Sequence, residues 1–286
     1  MKNLFNTLLA TAAMVSVVTV ANATDSKPAA HGFYLGASAG VANTNVKSKV
    51  QAGGTFYNLN TSNGNLVATT DSAESRLVNT DAGKAAGIFG LMAGYNFQKG
   101  STVFGGEIYG GFDSSTVKVY DDKGSGSSVE GGLWTSTVKR KSFFGFAPRI
   151  GFMLTPSTQL YARLGIEYGK WTAAVNPNTT SLVLANNVTN VNAASGNANA
   201  GAAAIAASSL ATTASKKKLS FAPGVGMEVY MGKMFVRGEY AYLMGPKITL
   251  VQNTNGYSYN MYNGSTATHT FKTSQHRVQL AVGFKF

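Results

Sequence analysis

The last nine residues of the chain alternate strictly between apolar side chains and small or polar ones. Val278, Leu280, Val282, Phe284 and Phe286 share one parity. Successive side chains of a β-strand point to opposite faces, so this segment has one wholly apolar face. A strand of this kind, ending on an aromatic residue, is expected to meet an apolar phase on one side. The sequence therefore raises the question of whether the rest of the chain can close a barrel.

The first residues have the pattern of a cleavable export signal. Lys2 precedes a mostly apolar stretch over 8–20, and Ala21 and Ala23 form a small-x-small cleavage pattern. The stretch is too short for a membrane-spanning helix, which needs about 20 apolar residues. We expect residues 1–23 to be a signal peptide and 24–286 to form one β-barrel domain.

Composition excludes several classes of site and partner. The chain has no cysteine, so it can form neither a disulfide framework nor a thiolate metal site. Its formal net charge of +12 would suit nucleic acid, but an exported protein does not meet nucleic acid, and we predict no such partner.

Eight alternating segments of 10 to 14 residues recur along the chain. A tilted barrel strand needs about 9 to 11 residues to cross a bilayer. Long and short connections alternate between the segments, as in barrels with long outer loops and short periplasmic turns. The prediction is an all-β fold, an eight-stranded antiparallel up-and-down transmembrane barrel with strands near 33–42, 85–97, 102–113, 141–154, 159–171, 217–230, 234–244 and 276–286.

Loop one contains a further hairpin pattern around Asn63-Gly64, a favourable two-residue turn. A ten-stranded barrel is the alternative that this hairpin offers. We reject it because the hairpin lacks a long aromatic-bearing face, and we expect it to stand apart from the barrel.

One parity of each segment is apolar and the other collects the ionisable residues. An ionised group inside a barrel must be paired or hydrated. The inward parity contains four glutamates and four arginines, and we predict that they form a salt-bridged network: Glu107, Arg149, Arg163, Glu167, Glu228, Arg237, Glu239 and Arg277. The interior of an eight-stranded barrel is just wide enough for side chains, which favours a packed polar core over a charged channel that selects solutes.

Basic residues recur where the segments meet the long loops. Ammonium and guanidinium groups bind phosphate, so this collar is predicted to contact the phosphates of lipopolysaccharide; solvated bases without a fixed ligand are the alternative. The collar comprises Lys84, Lys118, Lys139, Arg140, Lys141, Lys170, Lys216, Lys217, Lys218, Lys247 and Lys272.

The chain offers few residues for metal or catalytic chemistry. His269 and His276 could hold zinc or haem with nearby tyrosines, but no carboxylate or cysteine stands at ligand spacing. Asp113, Asp121 and Asp122 do not form a recognisable triad pattern with His269. We therefore predict no enzymatic activity, no metal and no cofactor.

Several stretches resemble small bacterial outer-membrane barrels of the porin-like, opacity-protein and OmpX-like kind. They are Gly32 to Gly36, Gly87 to Phe97, Arg237 to Tyr240 and the Gly-Phe-Lys-Phe ending. The segment at the end of the chain is similar to the signal that the barrel-assembly machinery recognises in such proteins. The residues that carry this similarity are Val278, Leu280, Val282, Phe284 and Phe286. The resemblance implies an eight-stranded surface barrel and no single activity, because loops carry the specific function of such proteins.

The functional expectation is a monomeric barrel in the outer membrane of a Gram-negative bacterium. It would display its loops for envelope integrity or adhesion to a host surface ligand, in contact with lipid and lipopolysaccharide. A narrow porin for small solutes is the main alternative, and a haem-binding surface receptor is the third.

Overall fold

The structure is a computed structural model. It describes residues 30–52, 56–62, 65–71, 76–120, 134–177, 190–191, 198–199, 211–253 and 266–286. The expected signal peptide, residues 1–23, lies outside the described residues. No helix in the described part of the chain is long and apolar enough to cross a membrane.

The described chain is built of antiparallel strands. The strands are β1 (Gly32–Ala52), β2 (Phe56–Ser62), β3 (Asn65–Asp71), β4 (Arg76–Lys99), β5 (Thr102–Asp113), β6 (Thr116–Tyr120), β7 (Trp134–Thr155), β8 (Thr158–Pro177), β9 (Asn190–Val191), β10 (Ala198–Asn199), β11 (Thr212–Met231), β12 (Met234–Asn253) and β13 (Thr266–Lys285).

Eight of these strands close into a ring. Their order is β5-β4-β1-β13-β12-β11-β8-β7, and β5 also pairs with β7. The first and last strands of the chain are neighbours, in register from Tyr34↔Lys285 to Ala52↔Ala267. The predicted eight-stranded antiparallel up-and-down barrel is confirmed. Strands β2 and β3 form a separate two-stranded sheet, as expected for a hairpin outside the barrel.

Three tight turns join strands at one end of the barrel, called here the turn end. They lie at 100–101, 156–157 and 232–233. Gly100 and Gly232 have φ angles of 60° and 62°, a left-handed conformation that glycine adopts without a steric penalty. The opposite end, from which the longer connections leave, is called the loop end.

The strands are much longer than the sequence predicts. Most contain 20 to 24 residues instead of 10 to 14. The added residues lie at the loop end, so segments predicted as loop are partly strand. Their outward positions carry threonine, serine, asparagine and lysine, and so they lack the apolar face from which the strand limits were predicted.

Near the loop end the barrel wall divides in two. Pairing of β4 with β5 stops at Ile88↔Asp113, and pairing of β11 with β12 stops at Phe221↔Met244. Beyond these points the strands form two four-stranded sheets, β4-β1-β13-β12 and β11-β8-β7-β6. We call this extension the stalk, and it comprises residues 43–52, 76–87, 116–120, 134–140, 170–177, 212–220, 245–253 and 266–275.

Two prolines lie near the point where β11 and β12 separate. Pro223 lies in a gap of their ladder, between Phe221 and Gly224, and Pro246 lies in a bulge of β12 against β13, between Met244 and Lys247. Proline has no N–H, so neither residue can donate a ladder hydrogen bond.

The two sheets of the stalk enclose a hydrophobic core. One sheet contributes Val46, Ile248 and Phe271, and the other contributes Val138 and Trp171. Each of these side chains is at most 1% exposed. The stalk is therefore a packed sandwich continuous with the barrel.

The outer surface of the barrel is apolar up to the base of the stalk. Leu91 is 70% exposed and Phe112 is 72% exposed, although both would be buried in a soluble core. The exposed large apolar residues at predicted outward positions are Phe33, Leu35, Val41, Phe89, Leu91, Tyr95, Phe97, Phe104, Ile108, Phe112, Phe144, Phe146, Ile150, Phe152, Leu154, Leu160, Leu164, Tyr168, Leu219, Phe221, Val225, Val236, Tyr240, Leu280, Val282, Phe284 and Phe286. A contiguous apolar surface of this extent marks a contact with lipid or protein.

Candidate functional site

The barrel interior is filled in three layers. At the turn end, Tyr34, Val103, Tyr230 and Phe235 belong to a buried apolar cluster. Charged side chains occupy the middle, and the hydrophobic core of the stalk lies above them. A polar layer is thus enclosed between two apolar ones.

Glu107 on β5 is the centre of the first ion network. Its Oε2 accepts from Arg237 at 2.6 Å and from Arg149 at 3.4 Å, and its Oε1 accepts from Arg163 at 3.1 Å. The hydroxyl of Tyr34 also donates to Oε2, at 2.7 Å. One carboxylate therefore holds three arginines from three different strands.

Two further glutamates complete this first network. Glu228 Oε2 accepts from Arg149 at 3.0 Å and from Arg237 at 2.8 Å. Glu239 lies 3.2 Å from Nε of Arg163. Three glutamates and three arginines are thus linked across the lumen, and the arrangement ties β5, β7, β8, β11 and β12 together.

Glu167 on β8 is the centre of a second network nearer the loop end. It pairs with Arg277, whose Nη2 lies 3.0 Å from Oε2, and with Arg140, whose Nη2 lies 2.6 Å from Oε2. Arg140 also reaches Asp113 at 3.3 Å. Gln275 donates to Asp113 at 2.7 Å and accepts from Arg140 at 3.2 Å.

The structure places all eight predicted luminal residues inside the barrel, each at most 9% exposed and each in an ion pair. They form two networks instead of one. Asp113 and Arg140, which sequence reasoning did not assign to the interior, raise the described set to five acids and five arginines. The formal charges of this set therefore cancel.

Arg140 does not belong to the basic collar, where the sequence placed it. It is 2% exposed and points into the barrel. The reason is a bulge in β7 between Arg140 and Phe143, where Lys141 and Ser142 are both exposed. A bulge adds one residue to the strand and so inverts the parity beyond it. Asp113 has the same parity as Glu107 on β5, so the alternation in the sequence was sufficient to predict that it faces the interior.

The packed interior leaves little free space. A cavity of about 30 Å³ is lined in part by Glu107, Tyr109, Arg163, Arg237 and Glu239. That volume accommodates about one or two water molecules. Arginine also stacks on aromatic rings here, with the Arg149 guanidinium 4.0 Å from the Tyr161 ring centre and that of Arg163 4.4 Å from the Tyr109 ring centre.

The lysines of the predicted collar are exposed and lie outside the ionic interior. The exposed members are Lys84, Lys118, Lys139, Lys141, Lys170, Lys216, Lys217, Lys218, Lys247 and Lys272. Lys170 lies directly across from Lys217 on the neighbouring strand, and Lys247 lies directly across from Lys272. Lys47, which the sequence did not single out, lies across from Lys272 on the other side.

The two histidines considered for zinc or haem lie on opposite faces of β13. His269 is fully buried in the stalk, whereas His276 faces outward, and its Nδ1 lies 2.7 Å from the Tyr240 hydroxyl. They are seven residues apart, an odd separation that puts them on opposite sides of the strand. They cannot ligate one metal ion together. Among the described residues, no group of three or more His, Asp or Glu side chains is arranged to hold a metal.

Buried surroundings change the chemistry of His269. Its strand neighbours are Val50 and Leu250, and its ring stacks on Phe271 with centroids 6.5 Å apart. This burial lowers the pKa of His269 from 6.5 to about 4. The ring is therefore neutral at physiological pH.

Four residues of the proposed assembly signal, Val278, Leu280, Val282 and Phe284, share the outer face of β13, and Phe286 directly follows the strand. Phe286 is 73% exposed, and its backbone N–H donates to the carbonyl of Phe33 at 2.8 Å. The end of the chain is thus fixed to the first strand.

Comparisons with solved structures return bacterial outer-membrane proteins. OprG of Pseudomonas aeruginosa is 11% identical, covering 90% of this chain and 97% of that chain, with a TM-score of 0.45. Several of the solved structures that resemble this chain are small outer-membrane β-barrels. They include the protease OmpT of Escherichia coli, 9% identical over 88% of this chain and 97% of that chain with a TM-score of 0.39. Neisserial surface protein A is 9% identical over 89% of this chain and 97% of that chain, with a TM-score of 0.34. No family model and no curated protein matches the chain.

Proposed function

We propose that the chain is a non-enzymatic surface barrel of the bacterial outer membrane, which holds its loops above the membrane on a rigid stalk. The observation that carries this proposal is the change along the strands from an apolar to a polar outer face, while the interior stays packed throughout. Such a molecule is stable only if its lower part lies in lipid and its upper part in water.

The outer-membrane location rests on the exposed apolar band. Phe89, Leu91, Phe112, Phe144 and Ile150 would each expose a large hydrophobic surface to water in a soluble protein. Burying such a side chain is worth about 1.5 to 3 kcal/mol, so dozens of them strongly favour a lipid environment. Export through the proposed signal peptide and insertion guided by the terminal strand follow from this location.

The display role rests on the stalk. β13 runs ten residues from Thr266 to Gln275 above the apolar band. At about 3.3 Å per residue and a tilt near 40°, the stalk rises about 25 Å. This height places the loop ends of the strands well away from the lipid surface. A ligand on a host surface is the partner that raised loops suit best.

The packed lumen favours display over solute diffusion. The porin alternative needs an open path, whereas Tyr34 and Phe235 fill the turn end and Trp171 and Phe271 fill the loop end. A haem receptor is less well supported, because His269 and His276 lie on opposite faces. No enzymatic role is proposed, since Asp113 and His269 are each buried among structural partners.

Lipopolysaccharide contact is the second part of the proposal. Lys141, Lys170 and Lys217 are exposed just above Phe144, Tyr168 and Leu219, where the apolar band ends. Lysine at this level can pair with phosphate groups at the lipid surface. One chain completes the ring of strands, which supports a monomer.

The test is to express the full-length protein with a protease site in the connection at 178–189 and another in the turn at 232–233. On intact cells, added protease should cleave the first and spare the second. Cleavage of the second in intact cells, or protection of the first, would contradict surface display in the proposed orientation. The turn site is the internal control, because it should become cleavable once the outer membrane is permeabilised.

A further inference from the structure

The stalk carries three lysines side by side on neighbouring strands. Lys47 on β1 lies across from Lys272 on β13, and Lys272 lies across from Lys247 on β12. All three are exposed on the outer face. Residues directly opposite on antiparallel strands have Cβ atoms about 4.5 to 5.5 Å apart. We call these three residues the lysine row.

In the described part of the protein, little negative charge offsets the three lysines of the row. On the other side of Lys47 lies Asp81, whose carboxylate is 3.8 Å from the Lys47 ammonium group. Both side chains are more than 70% exposed, so this pair is weak. The outward neighbours on the same strands, Lys49, Thr249 and Thr270, add no negative charge.

Like charges that face each other directly across strands are destabilising. On the other sheet of the stalk, Lys170 and Lys217 form a facing pair, and Lys118 and Lys139 each lie across from a threonine. The row differs because it brings three lysines together. An array of three facing ammonium groups is therefore suited to an external polyanion that supplies the missing charge.

The position of the row indicates which anion it would bind. Lys272 is four residues above His276, which lies beside Tyr240 and Tyr242 at the upper edge of the apolar band. Four residues correspond to about 10 Å of height. The row faces sideways, toward whatever surrounds the stalk, and not toward its tip. At this height and direction a barrel meets the sugars of neighbouring glycolipids, above the phosphates nearest the lipid.

We propose that the lysine row binds a phosphorylated saccharide of a neighbouring lipopolysaccharide molecule, through phosphate groups bridging Lys47, Lys272 and Lys247. This inference rests on the proposed outer-membrane location. It adds a site at a second level, higher than the contacts of Lys141, Lys170 and Lys217, and it assigns Lys47 a role.

The test compares full-length variants refolded into phosphatidylcholine vesicles with or without purified lipopolysaccharide. K47Q/K272Q removes two members of the row. K118Q/K139Q makes the same charge change on the other sheet of the stalk, and K99Q/K233Q makes it at the turn end. The measurements are the melting temperature of the folded form on unboiled gels and the affinity for lipopolysaccharide and for its dephosphorylated form.

The proposal predicts that K47Q/K272Q shifts the melting temperature in opposite directions with and without lipopolysaccharide. Without lipopolysaccharide, K47Q/K272Q should melt at a higher temperature than the wild type, because repulsion is relieved. With lipopolysaccharide it should melt at a lower temperature than the wild type. Its affinity for lipopolysaccharide should fall about tenfold, as expected for two lost charge-assisted contacts. Dephosphorylation of lipopolysaccharide should weaken binding of the wild type more than binding of K47Q/K272Q. K99Q/K233Q should bind within about twofold of the wild type, and K118Q/K139Q should lose less affinity than K47Q/K272Q.

Three results would overturn the proposal. Unchanged affinity in K47Q/K272Q would do so, and so would an equal loss in K118Q/K139Q, which would indicate a diffuse basic surface. Row-dependent binding of heparin with row-independent binding of lipopolysaccharide would assign the row to a sulfated glycan instead. Failure of the proposed location would be distinguishable, because the wild type would then not insert into vesicles at all.

Discussion

Nη1 of Arg237 lies 2.6 Å from Oε2 of Glu107, although the two residues are 130 positions apart in the chain. The contact joins β12 to β5 across the lumen, strands that are not neighbours in the sheet. Glu107 at the same time holds Arg149 and Arg163. A single carboxylate thus connects opposite walls of the barrel through ion pairs.

Glu107→Gln should be strongly destabilising. The substitution preserves shape but removes the negative charge shared by three buried arginines. Breaking a buried ion pair by removing one partner costs about 3 to 5 kcal/mol. Urea-induced unfolding in lipid vesicles measures this loss.

Asp81→Asn is the matched control for that experiment, since it neutralises an exposed carboxylate paired with Lys47. Its effect should stay within about 1 kcal/mol. Equal effects of the two substitutions would show that the interior is hydrated enough to screen its charges.

Phe271→Ala should loosen the stalk and leave the barrel closed. Phe271 is fully buried between the two sheets, and truncation of a buried phenylalanine costs about 3 to 5 kcal/mol. Limited proteolysis of the vesicle-bound protein should cut the stalk more rapidly, while the barrel keeps its heat-modifiable migration on gels. Val251→Ala, at a 57% exposed position on the stalk's outer face, should behave like the wild type. Simultaneous loss of barrel migration in F271A would contradict a separate role for the stalk core.

The wild-type barrel should not conduct ions steadily in planar bilayers, because side chains fill its lumen at three levels. Replacement of Phe235 and Tyr34 by alanine removes the ring pair at the turn end, whose centroids are 5.6 Å apart. The stalk core still blocks the other end, so this variant should also stay silent. Large, steady currents through the wild type would favour the porin alternative.

Acidification should weaken the stalk through His269. Its pKa is lowered by burial from 6.5 to about 4, so the opened stalk binds a proton more readily than the closed one. Stability from the neutral ring is complete above pH 6.5 and is lost as the pH falls from 6.5 to 4. Amide exchange in β12 and β13, corrected for intrinsic rates, should show increased opening in this window. H269N should remove the dependence, and H276Q, on the outer face, should retain it.

The barrel could be predicted from sequence because alternation reports directly on two different surroundings. The order of the barrel strands, most of the inward and outward parity, and the inward positions of four glutamates and four arginines follow from it. Arg140 shows where this reasoning ends, because a bulge inverts the parity and leaves no mark in a hydrophobic pattern. The stalk escaped prediction for a related reason. Its outer face is polar and its inner face is apolar, so it lacks the apolar outward parity by which the barrel strands were recognised.

The lysine row could not have been predicted in the same way. Lys47, Lys247 and Lys272 are far apart in the chain, and only the register of three strands brings them together. Register depends on bulges and turns that a single sequence does not reveal.

The central claim is that the apolar band lies in lipid and the stalk above it in water. The chain has no cysteine, so a fluorescent label can be attached at Ile150→Cys in the band or at Val251→Cys in the stalk. In vesicles, brominated acyl chains should quench the label at 150 and aqueous iodide should not, while the label at 251 should show the reverse. Quenching of position 150 by iodide, or of position 251 by brominated lipid, would contradict the account.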